Sequence, residues 1–274
     1  MRTTRLSLGI LIALAGIAFP LCAQISVVSD LSQDREAAPG EAYDGTIVVR
    51  NDAKEPQEFN VYQTDYLFSS DGTSTYGAPG STARSNARWI HFSPAHAVIP
   101  PGGTVSVVFT VSVPENAPGQ GLVGTYWSML MVEGAQKEPL ESPHAAKGKK
   151  AQLGIRTTLR YGVQVATHIL HSGTKSVRIL QAKLTPAQGG SKRLEVDIED
   201  NGTLGFRPEV YVEVFDSKGQ SMGKFPGASA RLYPGTSVRQ IIDLGKILPG
   251  TYKALVVVDA GGEDVFGAQY NLEF

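Results

Sequence analysis

Gly124-Thr125-Tyr126-Trp127-Ser128-Met129-Leu130-Met131-Val132-Glu133 and Gly250-Thr251-Tyr252-Lys253-Ala254-Leu255-Val256-Val257-Val258-Asp259 read as two versions of one strand. Each opens on Gly-Thr-Tyr, continues through apolar residues and stops at a carboxylate. β-Branched and aromatic runs bounded by turn residues are strand signals. Upstream of each copy a Pro-Gly turn precedes a strand, Pro101-Gly102 before Thr104 and Pro234-Gly235 before Thr236. Further upstream, a strand ends at Asn51 in one half and at Asn201 in the other. Three landmarks in one order point to a tandem duplication, the alternative being coincidence between strands of similar composition.

Outward from these landmarks, short apolar runs alternate with Gly, Pro and Asp-Gly punctuation along the whole chain. The first half offers Ile25–Leu31, Thr46–Asn51, Gln57–Tyr66, Trp89–Phe92, Thr104–Val113, Val123–Val132 and Leu153–Val165. The second offers Ser176–Leu184, Arg193–Glu199, Glu209–Phe215, Ala228–Leu232, Thr236–Leu244, Tyr252–Asp259 and Asp264–Phe274. In Thr104–Val113 the residues Val105, Val107, Phe109 and Val111 share one face, the mark of a half-buried strand. No stretch beyond the leader holds helical periodicity over three turns. Seven strands per half at this spacing predict an all-β chain of two immunoglobulin-like sandwiches, 24–172 and 173–274, joined through Thr167–Lys175.

Composition agrees. The 274 residues are 42% apolar, which excludes intrinsic disorder and suffices for a core, and 19% charged. A formal charge of −1 gives no overall bias towards nucleic acid. Residues 1–23 stand apart, with Arg2 and Arg5 before an apolar run from Leu6 to Leu21 and a cleavage site at Leu21-Cys22-Ala23. This is the layout of a secretory signal peptide. Cleavage before Gln24 removes Cys22, the only cysteine, and leaves an exported chain that is not membrane-embedded.

Catalytic and metal patterns are missing. His91, His96, His144, His168 and His171 form no His-Glu-x-x-His motif, and neither a nucleophile elbow nor a P-loop occurs. His168 and His171 read as solvated linker residues. Asp197, Glu199 and Asp200 read as a solvated strand face and turn, short of the oxygens that calcium needs. The sequence thus predicts no enzyme, no cofactor and no metal.

One strand is unusually long. Leu153, Ile155, Thr157, Leu159, Tyr161, Val163 and Val165 alternate with Gly154, Arg156, Thr158, Arg160, Gly162 and Gln164. Its thirteen residues would span about 43 Å, against a usual strand of five or six. Either it completes its own sandwich and runs into the linker, or part of it offers its apolar row to a partner by strand addition.

The signal peptide, the tandem sandwiches and this last strand of the first domain resemble the PapD-like periplasmic chaperones of pilus assembly. The resemblance implies that the strand is lent to a pilin-like subunit. It also implies that an Arg and a Lys in the interdomain cleft bind the subunit's terminal carboxylate. Leu159-Arg160-Tyr161 is similar to the family's Ile-Lys-Leu-Phe-Tyr-type segment and puts Arg160 at the Lys position. The first-strand Arg falls on Arg35, upstream of Asn51. The family's Arg-Glu-Ser signature is replaced by Ala117-Pro118-Gly119-Gln120-Gly121, and its Asn-Pro-Thr-Pro-Tyr stretch by Asn201-Gly202-Thr203-Leu204-Gly205-Phe206. The implied partner-binding residues are Arg35, Ile155, Thr157, Leu159, Arg160, Tyr161 and Val163. A second resemblance is to bacterial surface proteins of the WxL-interacting type, carried by Pro39-Gly40-Glu41, Asp71-Gly72-Thr73 and Pro114. It implies a secreted or surface protein that binds cell-wall polymer or a surface partner without chaperoning.

Overall fold

The computed structural model describes residues 25–116, 121–135 and 158–274. Up to residue 169 the described strands are β1 (Ile25–Val27), β2 (Ser32–Ala37), β3 (Ala42–Asn51), β4 (Gln57–Phe68) and β5 (Ser74–Gly77). These are followed by β6 (Ile90–Ser93), β7 (His96–Ile99), β8 (Thr104–Ser112), β9 (Thr125–Gly134) and β10 (Arg160–Ile169). After residue 176 come β11 (Val177–Pro186), β12 (Lys192–Asp200), β13 (Glu209–Phe215), β14 (Ser221–Pro226), β15 (Ser237–Gly245), β16 (Thr251–Asp259) and β17 (Val265–Glu273). The first group forms sheets ordered β1-β3-β8-β6 and β2-β10-β9-β4-β5; the second forms β11-β12-β15 and β14-β13-β16-β17. Among the described residues no sheet mixes strands of the two groups. The chain is all-β, two immunoglobulin-like sandwiches in tandem.

Each sandwich is closed by the alternation seen in the sequence. On β8, Val107, Phe109 and Val111 are at most 1% exposed; with Ile47 and Val49 of the same sheet they form one core with Leu130, Val132 and Val163 of the other. The second core joins Leu194, Val196 and Ile198 of β12 to Val212, Val214, Val256 and Val258 of the opposite sheet. Burying such aliphatic side chains contributes roughly 1.5–3 kcal/mol each, which stabilises the sandwiches without disulfides.

Several elements differ from expectation. β2, β5, β7 and β14 are strands beyond those the sequence predicts, since segments such as Ser-Gln-Asp-Arg-Glu-Ala are polar and lie at sheet margins where pairing needs little burial. Ala228–Leu232 is not a strand; Leu232 makes one bridge to Phe206. β10 continues to Ile169, so Thr167, His168 and Ile169 belong to the sheet and not to the linker. Residues 153–157 of the expected long strand lie outside the described residues.

The duplication shows in the backbone, one residue out of the expected register. Gly102 N–H donates to Asn51 O at 3.1 Å, and Asn51 N–H to Gly103 O at 3.0 Å. In the second sandwich Gly235 N–H donates to Asp200 O at 2.8 Å, and Asp200 N–H to Thr236 O at 3.1 Å. Asp200, not Asn201, therefore stands where Asn51 stands.

Candidate functional site: an open strand edge and the interdomain cleft

β10 is paired with β9 along its length, from Arg160 opposite Glu133 to His168 opposite Thr125. On its other side β2 runs parallel to it, but only from Gln164 to Ile169. Gln164 N–H donates to Leu31 O at 2.9 Å, so its backbone polar groups point away from β9. Successive residues alternate in this respect, and the register with β9 is unbroken, so Gly162 and Arg160 present N–H and C=O on the same side. Among the described residues no strand pairs with that side before Gln164. Exposed Leu31 and Leu159 lie at the two ends of this open edge.

Where β2 begins, the open edge runs into a cleft of about 330 Å³ between the sandwiches. The first sandwich supplies Leu31, Ser32, Tyr66, Phe68 and Gln164; the second supplies Arg207, Ser229, Ala230 and Arg231. Tyr66 and Phe68 form an aromatic wall with ring centroids 5.4 Å apart. Arg231 donates from Nη2 to Asp34 Oδ2 across the cleft, while its Nε, Ser32 Oγ and Asp34 Oδ1 are buried without a partner. Arg207 is exposed and reaches only Ser229 Oγ at 3.4 Å, too long for a strong bond. Arg207, hydrogen-bonded through that contact alone among the described residues, and Arg231 give this wall of the cleft two guanidinium groups, whose planar fork matches a carboxylate.

Behind the cleft the two sandwiches are in direct contact. Tyr233 is fully buried and stacks on Trp127 at 4.7 Å and 9°, with Phe68 edge-on at 6.2 Å. Its hydroxyl donates to Gln164 Oε1 at 3.2 Å. Beside it Thr125 N–H donates to Thr203 O at 2.9 Å, and Gly205 N–H to Thr125 Oγ1 at 2.7 Å. The halves approach so closely that a Cβ on Gly124, whose φ is +73°, would sit 1.8 Å from Thr203 O.

The fold treats the residues named from sequence unequally. Val163 is 0% exposed and Tyr161 packs on the same core, so both side chains complete their own sandwich. Leu159 is 43% exposed beside the open edge, and Ile155 and Thr157 lie outside the described residues. Arg160 is on the strand's outer face but is held by Glu133, which also accepts from Tyr62. Arg35 pairs in register with Thr167, seven positions along β10 from Arg160, or about 23 Å. Because Ser32 and Asp34 face the cleft, Arg35 points to the other side of β2. Arg35 and Arg160 therefore cannot grip one carboxylate, and the cleft arginines are Arg207 and Arg231.

Two other expectations are corrected. His168 is not a solvated linker residue; its Nδ1 lies 2.7 Å from Thr125 Oγ1, and burial lowers its pKa. Asp197 and Asp200 are buried, not solvated. Asp197 takes two bonds from Arg239, at 2.7 and 2.9 Å, and one from Gln181, at 2.6 Å. Nothing local in the sequence marks Arg207, Arg231 or Gln164, because the cleft draws on five separate segments.

No family model and no curated protein matches the chain. Solved structures do. A chaperone–tip adhesin complex of CFA/I fimbriae is similar over 90% of this chain and 98% of its own, at 13% identity and a TM-score of 0.47. The class 5 fimbriae chaperone CfaA is similar over 89% and 98%, at 12% identity and 0.46. The CsuC–CsuE chaperone–tip subunit complex of Acinetobacter baumannii Csu pili is similar over 89% and 98%, at 14% identity and 0.43. The solved structures this chain is similar to thus include several fimbrial and pilus chaperones.

Proposed function

We propose that this chain is a periplasmic chaperone for a pilus or surface-fibre subunit, which it holds by strand addition along β10. The observation that carries the reading is the continuity of the open edge with the arginine-lined cleft. Arg160 and Gly162 offer main-chain partners to a strand, and that strand must end where β2 takes over the edge at Gln164. A client strand running parallel to β10 then delivers its terminal carboxylate to Arg207 and Arg231. The main chain supplies affinity, while Leu159, with Ile155 and Thr157 upstream of it, meets client side chains. Export follows from residues 1–23, and the intact mass of the native protein should correspond to a chain beginning at Gln24.

Arg160→Pro tests the edge directly. The N–H of residue 160 faces away from β9, so proline there removes a donor that no described strand takes up and that a client would use. The Glu133 ion pair lost with it is exposed and worth at most about 1 kcal/mol. The variant should melt within a few degrees of the wild type yet fail to retain subunits in a periplasmic pull-down read by mass spectrometry. Leu159→Asp should behave alike, since a surface substitution typically costs within about 0.5 kcal/mol. Retention of the same client by both variants would exclude strand addition at this edge.

A further inference from the structure

The duplicated corner at the ends of β3 and β12 contains a mismatch of chemistry. Asn51 Oδ1 accepts from Ala53 N–H at 2.8 Å, and Asp200 Oδ1 accepts from Gly202 N–H at 2.8 Å. With the same backbone bonds on either side, the remaining atom of each side chain is aimed at the equivalent place. In the first sandwich that atom is the amide Nδ2, which donates to Glu55 O at 2.8 Å, Ile99 O at 2.9 Å and Pro100 O at 3.2 Å. In the second it is Asp200 Oδ2, buried and without a partner. By the backbone register, the carbonyls equivalent to those of Ile99 and Pro100 belong to Leu232 and Tyr233. An ionised carboxylate has no donor for them; a protonated one has.

We propose that Asp200 is a protonation-gated clasp on the joint between the two sandwiches. Neutral, its Oδ2–H does for the second corner what Asn51 does for the first. Ionised, it sets a negative charge against carbonyl oxygens and loosens the corner. Both interdomain contacts of that corner are then affected. The segment just after Asp200 carries Thr203 and Gly205, which bond to Thr125. The segment it clasps carries Tyr233, which stacks on Trp127, and Arg231 of the cleft.

The electrostatics agree in direction. Burial raises the Asp200 carboxyl to about 6, opposed by the Gly202 N–H and by Arg84, and assisted by Glu199. Arg84 is committed to the carbonyls of Val123 and Thr125, and Glu199 to Arg178. Tyr233 is held protonated by burial, and His168 reaches the corner only through Thr125. Between pH 4 and 6 the folded chain keeps a proton that the unfolded chain has released. Stability from this group is therefore complete at acid pH and is lost as pH rises through about 6. His168, lowered by burial, gives the opposite slope near 6.5, so the test is a difference between variants.

In the full mature chain, Asp200→Asn should raise the Tm by about 3–6 °C at pH 7.5 and by little at pH 4.5. The near-ultraviolet circular dichroism of the stacked Trp127–Tyr233 pair should weaken from pH 5 to 7.5 in the wild type and stay constant in the variant. Asn51→Asp should import the effect, with a Tm lowered at pH 7.5 that recovers on acidification. This reciprocal variant decides the matter if Asp200→Asn folds poorly. An equal Tm shift at both pH values, or an Asn51→Asp melt independent of pH, would overturn the clasp. A wild-type dichroism signal that does not change with pH would overturn its coupling to the joint.

Discussion

Tyr233→Ala is expected to destabilise the protein by about 3–5 kcal/mol, lowering the Tm by roughly 10 °C. Few side chains here are as large and as completely enclosed, and this one is shared between the two halves of the molecule. Truncation removes the stack on Trp127, the edge contact with Phe68 and the hydroxyl bond to Gln164. It also leaves a void that the neighbouring sheets cannot collapse to fill, because β9 and β10 are fixed by their ladders. Tyr233→Phe separates the terms, losing only the bond to Gln164 and about 1 kcal/mol. Because the second sandwich retains its own core, Tyr233→Ala should also split the melt into two transitions, visible by calorimetry. A single transition at the wild-type temperature would show that the joint contributes nothing to folding.

What could be read from the sequence follows the physics of burial. β13 is found at the expected residues, Glu209–Phe215, and β8 differs by one residue, because both alternate cleanly between a core and a solvent face. β2 and β14 were illegible for the converse reason. Ser-Gln-Asp-Arg-Glu-Ala and Ser-Met-Gly-Lys-Phe-Pro bury little, and only their neighbours' hydrogen bonds make them strands. The site divides in the same way. β10 announces itself by its alternation, and Arg160 and Leu159 lie beside its open edge. The cleft arginines carry no pattern, since Arg207 follows the isolated bridge at Phe206 and Arg231 precedes the one at Leu232. Arg35 lies one residue out of strand parity with the cleft: Ser32 and Asp34 share the face of β2 turned towards it, and Arg35 lies on the other face. A one-residue offset also hid the Asn51–Asp200 equivalence, which only the ladder bonds reveal.

The double variant Arg207→Ala, Arg231→Ala is expected to weaken client binding by 30-fold or more. Losing a charge-assisted contact in a desolvated cleft costs about 2–5 kcal/mol, and every 1.4 kcal/mol is tenfold. The two arginines will not contribute alike. Arg207 is exposed, so Arg207→Ala alone should cost about tenfold and leave the melt unchanged. Arg231 has a side chain 15% exposed and neutralises Asp34, so its removal both deletes a donor and unmasks a carboxylate facing the client's own. That repulsion is why Arg231→Ala should exceed Arg207→Ala, and why adding Asp34→Asn to it should recover part of the loss. Asp34→Asn by itself should tighten binding, because Arg231 then turns its whole fork to the client. Extending the client by two residues beyond its natural C-terminus should cost the wild type as much as the double variant loses, and should cost the double variant nothing further. If the extended client binds the wild-type cleft as tightly as the natural one, the arginines do not read a chain terminus, and strand addition along β10 must account for recognition alone.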